Sequence, residues 1–241
     1  MKTTSLLKGI GIGIIIFSLL SFTFIFNFGI RGSGDIIKET RVVESFNAIE
    51  AGGIFNITVV KGSPQSLVIE ADDNLMEHIS SKVKNGELKL STHGNINNST
   101  KMNVYITMPN LIGFDLSGVS KLTSESRFEN DRMEIEQSGA SSASLKIQCD
   151  KLDLDVSGAA NITLSGYAKK LSAEASGASN LNAYDLEVEH AVVDCSGAAS
   201  AKLTINKSLN GEASGAASIK YKGNPNNVDV RTSGAADIKR K

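Results

Sequence analysis

The sequence predicts an all-β protein that folds as a single-stranded parallel β-helix, also called a β-solenoid. Seven Ser-Gly pairs recur at gaps of 18 to 21 residues along its second half, and most are followed by Ala-Ala or Ala-Ser. A fixed period of about 20 residues is typical of a repeat architecture, because so short a unit buries a core only by stacking on its neighbours. Apolar and polar residues alternate on both sides of each pair, which is the period of a β-strand with one buried face.

Each Ser-Gly pair is predicted to form a structural turn. Glycine adopts positive φ without strain, serine can hydrogen-bond its own backbone there, and the small alanines allow one corner to stack on the next. The predicted turn residues are Ser117, Gly118, Ser138, Gly139, Ser157, Gly158, Ser176, Gly177, Ser196, Gly197, Ser214, Gly215, Ser233 and Gly234.

Alignment of the repeats on the turn serine predicts which side chains fill the core. Positions five, three and one before it, and five and seven after it, are mostly apolar. These positions include Ile112 in the first coil and Val228 and Val230 in the last. A helix is excluded, because the apolar residues do not recur at three and four and every copy contains glycine. We expect about seven coils, spaced by about 4.8 Å, with the right-handed sense of nearly all parallel crossovers.

The region before the repeats is rich in predicted strands but less regular. We assign residues 112–241 to the solenoid repeats and residues 32–111 to an N-terminal β region and cap made of degenerate coils, since an open solenoid end needs a cap. Within residues 48–59, Gly52 takes the place of the turn serine. The other predicted elements are strands at 67–71, 87–91 and 102–107, a short helix within 72–81 and an exposed loop at 92–100.

The first 31 residues are predicted to be a signal peptide or an N-terminal membrane anchor. Lys2 and Lys8 precede an uncharged run over residues 9–30 that is rich in Ile, Phe and Leu. Such a run is long enough to span a bilayer, and no A-x-A cleavage site follows it. The two alternatives stay open, and both place the body outside the cytoplasm, in the periplasm, anchored to a membrane, secreted or at the cell surface.

Composition narrows the function classes. The formal net charge is −1, so no global field would attract nucleic acid. Cys149 and Cys195 fall in different coils and on different sides of the solenoid, which argues against a disulfide. No motif for a cofactor or a zinc site is present, and no turn serine lies in a G-x-S-x-G motif, so we predict a non-enzymatic protein.

One outward position of the repeat carries a candidate binding surface. The residue two before the turn serine is acidic in six successive coils: Asp115, Glu136, Asp155, Glu174, Asp194 and Glu212. Three interpretations stay open. The acids form a solvated face that keeps the sheet soluble, a docking stripe for a cationic partner, or a Ca²⁺ site built on Glu134, Glu136, Asp153 and Asp155. The cationic partner includes the lysine column of another copy, formed by Lys202, Lys220 and Lys239, which would make a homo-oligomer.

An enzyme is the alternative hypothesis. Parallel β-helices host many polysaccharide lyases and hydrolases, and the same four acids are the candidate acid pair. The absence of tryptophan and the scarcity of outward aromatic residues argue against a sugar-cleaving groove.

The segments that follow the apolar run and the repeats together resemble the head GIN domain family. The resemblance rests on GSGDIIKETR at 32–41, FNAI at 46–49, FNITV at 55–59 and the Ser-Gly-Ala repeats, and it extends over residues 32–241. It implies an exported, β-helix-like binding or adhesion domain of Bacteroidetes-type bacteria, whose partner is a protein or polysaccharide of the cell surface or periplasm. No catalytic residue follows from it, and no translocating barrel accompanies it in this sequence.

Overall fold

The computed structural model describes residues 29–241, which form parallel stacked coils of a β-solenoid with about seven turns. A single 16-stranded sheet winds through the molecule, and a separate two-stranded sheet lies near its N-terminal end. The elements are β1 (Ile30–Arg31), β2 (Ile36–Arg41), β3 (Ala48–Gly53), β4 (Asn56–Lys61), β5 (Ser66–Asp72), a 3₁₀ helix (Asp73–His78), β6 (Ile79–Lys84), β7 (Glu87–Thr92), β8 (Ile96–Asn98), β9 (Met102–Met108), β10 (Gly113–Gly118), β11 (Lys121–Gln137), β12 (Ser142–Val156), β13 (Asn161–Ala175), β14 (Asn180–Cys195), β15 (Ser200–Ala213), β16 (Ser218–Lys222), β17 (Asn227–Thr232) and β18 (Asp237–Arg240).

A regular coil consists of one long strand and a four-residue turn. In β12, alternate residues from Ala143 to Cys149 are buried, and burial resumes at Leu152 after two consecutive exposed residues, Asp150 and Lys151. The same pair of exposed residues follows Ala168 in β13. Since strict alternation keeps one face buried, a pair of outward residues marks a corner where the sheet changes direction. The core is therefore enclosed by the coil itself.

The turns stack through their backbones. The N–H of Ala159 donates to the carbonyl of Gly139 in the preceding coil at 2.8 Å, and Ala178 donates to Gly158 at 2.7 Å. Gly158 has a φ of +70°, and a Cβ placed on it would lie 2.6 Å from the Gly139 oxygen. Six of the seven Ser-Gly pairs lie in such turns, whereas Ser117 and Gly118 are the last residues of β10. The serine side chain does not bond its own backbone, however, because the Ser157 hydroxyl lies 3.4 Å from the Gln137 carbonyl of the coil below.

The N-terminal region adds a less regular coil to the stack. Strand β3 pairs in parallel with β10 so that Gly52 lies beside Ser117 and Gly53 beside Gly118. Strands β4 and β7 continue the parallel stacking, against β11 and β3. Beyond them the pairing becomes antiparallel, where β5 joins β9 and β6 joins β7. These antiparallel strands end the run of parallel coils.

Several local predictions need correction. Ile112, predicted to point inward, is 39% exposed, and Val228 and Val230 are exposed because the last coil has no neighbour above it within the described residues. The predicted helix within 72–81 is a shorter 3₁₀ helix that runs directly into β6. The predicted loop at 92–100 contains β8, which pairs with β1. The predicted strands at 67–71, 87–91 and 102–107 are all present.

The predicted leader lies largely outside the described residues. Only Gly29 and Ile30 of the apolar run are described, and Ile30 belongs to β1. Within residues 29–241, no helix is long and apolar enough to cross a membrane. Cys149 and Cys195 are both buried and free, and burial raises the pKa of each thiol to about 12.

Candidate functional site: an acid ladder along the coils

The six predicted stripe residues occupy one continuous row on the solenoid surface. Parallel pairing sets Asp115 beside Glu136, and each following acid beside the next, up to Asp194 and Glu212. The register also places Glu50 beside Asp115, so the row has a seventh member. Neighbouring Cα atoms in such pairs lie about 4.8 Å apart. We call this row the acid ladder: Glu50, Asp115, Glu136, Asp155, Glu174, Asp194 and Glu212.

Sequence reasoning missed Glu50 although its signal was present. Gly52 had already been aligned with the turn serine, and the residue two before Gly52 is Glu50. The acidic position of the repeat therefore extends into the N-terminal region.

A basic residue closes each end of the acid ladder. At one end Lys89 lies beside Glu50 in the sheet and forms an ion pair with it. At the other end Arg231 lies beside Glu212 and donates to its carboxylate at 3.0 Å. Between these caps lie five consecutive acids, from Asp115 to Asp194, whose side chains make no ion pair within the described residues. The ladder therefore presents a concentrated negative field along the middle of the molecule.

Burial and, at Glu136, neighbouring like charges shift the pKa values of two ladder acids. Burial raises the pKa of Asp115, an effect that the nearby Lys89 opposes. Burial also raises the pKa of Glu136, and the charges of Asp115, Glu134 and Asp155 raise it further. A raised pKa means that the charged form of the carboxyl is disfavoured, and a cation bound beside it would stabilise that form.

The structure does not assemble the four predicted Ca²⁺ ligands into one site. Glu134 lies beside Asp153, and Glu136 beside Asp155, as the alignment required. Arg132, however, lies 3.0 Å from Asp153 and 3.6 Å from Glu134, and Lys151 lies 3.0 Å from Asp153. Among the described residues no group of three or more His, Cys, Asp or Glu side chains is placed to hold a metal ion. Ion pairs within and between β11 and β12 neutralise Glu134 and Asp153, two of the four predicted residues, which also weakens the patch as a catalytic acid pair.

The predicted lysine column is correctly registered. Lys202 pairs with Lys220 and Lys220 with Lys239 in adjacent strands. This column follows the turns, whereas the acid ladder precedes them, so the two charged rows lie on different parts of each coil. Lys239 also contacts Asp237 at 3.0 Å.

Comparison with known proteins agrees with this architecture. The profile of one family, described as "Putative auto-transporter adhesin, head GIN domain", matches residues 45–225. Among curated proteins, none matches the sequence.

Similar solved structures span nearly the whole described chain. A putative adhesin from Bacteroides fragilis is 28% identical, with a TM-score of 0.84 over 88% of this chain and 100% of its own. A putative adhesin from Parabacteroides merdae is 23% identical, with a TM-score of 0.74 over 88% of this chain and 98% of its own. A putative lipid binding protein from Parabacteroides distasonis is 18% identical, with a TM-score of 0.70 over 87% of this chain and 99% of its own. The last two show a shared fold alone.

Proposed function

The chain belongs to the head GIN domain family of putative auto-transporter adhesins, and from this premise we propose that it is an exported, non-enzymatic binding module of adhesion type. Its acid ladder would receive a cationic segment of a partner protein. The observation that carries this proposal is the unbroken register of five unpaired acids between two basic caps.

The geometry supports docking better than a merely solvated face. A soluble sheet surface needs only polar side chains, and threonine or asparagine would supply them without mutual repulsion. Acids on successive strands repel one another, and at Glu136 this repulsion adds to the effect of burial in raising the pKa of the carboxyl. A cationic segment lying along the solenoid axis would relieve this repulsion in every coil at once. Complementary fields of this kind speed association and align partners.

Binding of a labelled deca-lysine peptide, measured by fluorescence anisotropy on the full-length chain, tests the proposal. Replacing Glu174 by Gln together with Asp194 by Asn should weaken binding by about tenfold, because two adjacent contacts of the ladder are lost. The matched control replaces Glu129 by Gln and Asp131 by Asn, two exposed acids of β11 outside the ladder.

The control decides whether the ladder is specific. Equal losses in the two double variants would mean that the peptide senses net charge alone, and the ladder would then be a solvated face. An absence of binding by the unaltered protein at low ionic strength would refute the proposal outright, since screening is weakest there.

A further inference from the structure

Two outward positions of the repeat change character halfway along the solenoid. They lie six and four residues before the turn serine. In the lower coils they hold a cation and an acid, Arg132 with Glu134 and Lys151 with Asp153, and these side chains are ion-paired. In the next two coils the same positions hold Lys170 with Ser172, and His190 with Val192. The positive column continues, but its acidic partners have been replaced by a hydroxyl and an apolar side chain.

The replacement leaves unused binding groups on the surface. Within residues 29–241, Lys170 has no acidic group within ion-pairing distance. Val192 is 55% exposed, although it sits in the middle of a strand. The ring of His190 is held by a hydrogen-bond contact of 2.8 Å between its Nδ1 and the hydroxyl of Ser208 in the next coil.

These side chains line one groove. It has a volume of about 660 Å³ and continues toward the last coil, where Asn210 and Asn227 contribute amides. Its size falls within the usual range for small-molecule sites, roughly 300 to 1,000 Å³. One carboxylate, Asp229, lines its far end and lies 3.9 Å from Arg231.

We propose that this groove binds a carboxylate-bearing sugar chain. The ammonium group of Lys170 and the imidazole of His190 would receive the carboxylate. The hydroxyls and amides around them match sugar hydroxyl groups, and the exposed Val192 offers an apolar surface for the C–H face of a sugar ring. A lipid tail fits less well: the groove has two exposed apolar side chains, Val192 and Val228, but it is open to solvent and carries Lys170 and His190 beside them.

The nearby acid ladder does not prevent this. Glu174 lies four residues after Lys170 on the same extended strand, about 13 Å away between Cα atoms. Ser172 and Val192 lie closer, two residues or about 6.6 Å from Glu174 and Asp194, so the carboxylate is expected over Lys170 and His190 rather than over these two side chains. The ladder instead bounds the site on one side, so an anionic chain would lie along the column of Lys170 and His190. The inference concerns a different surface from the ladder and does not rest on the function proposed for it.

Calorimetric titration of the full-length chain with trigalacturonate tests the site, with the methyl-esterified trisaccharide as the uncharged comparison. The free acid should bind and the ester should bind at least about tenfold more weakly. Lys170→Gln should weaken binding of the free acid by about tenfold or more, since it removes a charge-assisted contact. Arg132→Gln, a cation of the same column outside the groove, should change the affinity by less than about twofold.

A variant that gives Lys170 an acidic neighbour provides a second test. Ser172→Asp restores the acid found at this position in the coil below, Asp153, and should abolish binding while leaving the fold intact. The ladder variant that replaces Glu174 and Asp194 should still bind the trisaccharide, which separates this site from the proposed docking stripe.

Four results would overturn the assignment. They are no binding of trigalacturonate, equal binding of its ester, an equal loss in Arg132→Gln and Lys170→Gln, or equally tight binding of a tri-glutamate peptide. The last result would make the groove a general anion patch rather than a sugar site.

Discussion

The N-terminal region and the regular coils are stabilised in different ways. In the coils from β12 to β15, the backbone ladder and small apolar side chains repeat, and most polar side chains point outward. In the N-terminal region the strand pairing is partly antiparallel, and buried acids tie separate segments together. Asp72 is fully buried and accepts hydrogen bonds from the N–H groups of Gly34 and Thr100, both at 2.8 Å.

The difference shows where side chains are free to acquire a function. A stacked coil satisfies its backbone by repetition, so its outward positions can vary without loss of the fold. The irregular end has no such repetition and must satisfy its backbone with specific side chains. The acid ladder and the Lys170 groove both lie mainly on the regular coils, which agrees with this division of roles.

The largest expected effect comes from disrupting the close stacking of one turn on the next. Gly158→Ala would force a side chain into a backbone with positive φ and against the Gly139 oxygen, only 2.6 Å away. We expect a loss of about 3 kcal/mol or more in the free energy of unfolding, measured by urea denaturation. Gly34→Ala is the control, because Gly34 also has positive φ but nothing lies within 4 Å of its missing Cβ. It should cost about 1 kcal/mol. Equal losses would show that stacking contacts do not limit the turn.

An intermediate effect is expected from Glu70, which represents the irregular region. Hydrogen bonds from Asn103, Tyr105 and Lys101 lower the pKa of this carboxyl to about 2. A lowered pKa in the folded state means that the stabilisation is complete above the unfolded pKa of about 4.3 and is lost as the pH falls toward 2. Glu70→Gln should cost about 1–2 kcal/mol at neutral pH. It should also flatten the decline of unfolding free energy between about pH 4.5 and 2.

Urea denaturation at a series of pH values measures both quantities. The control is Glu77→Gln, whose side chain is 80% exposed on the 3₁₀ helix. A pH profile for Glu70→Gln that matches the unaltered protein would contradict the assignment of this acid response to Glu70.

Sequence reasoning reached the regular coils far better than the irregular end. Alignment on the turn serine correctly predicted that six acids lie in one row. Strands that stack in register place equivalent residues of the repeat side by side on the surface. The same alignment set Arg132 on the strand of these acids, where it could partly neutralise the patch, and Arg132 does pair with Glu134 and Asp153. That it bridges the two acids depends on side-chain reach, which the alignment does not give. The groove at Lys170 was also missed, although the loss of the acid at Ser172 and Val192 was visible in the same alignment.

The antiparallel cap was beyond prediction for a different reason. Strands β2 and β5 pair across 30 or so residues without a repeat to set their register. The buried carboxylate of Asp72 carries no local signal, because its donors come from two loops distant in sequence.

The smallest effect, and one of opposite sign, is expected at Glu136 in the acid ladder. Burial and neighbouring acids raise the pKa of this carboxyl. Because this pKa is higher in the folded than in the unfolded state, protonation of Glu136 stabilises the fold below the unfolded pKa. That stabilisation is lost as the pH rises through the folded pKa, so the charged carboxylate weakens the fold at neutral pH. Glu136→Gln should therefore raise the unfolding free energy by up to about 0.5 kcal/mol, a gain that salt reduces. Glu44→Gln, in an exposed loop away from the ladder, should have no such effect. A loss of stability in Glu136→Gln would mean that the ladder acids are held by favourable contacts, and the repulsion that a cationic partner is proposed to relieve would be absent.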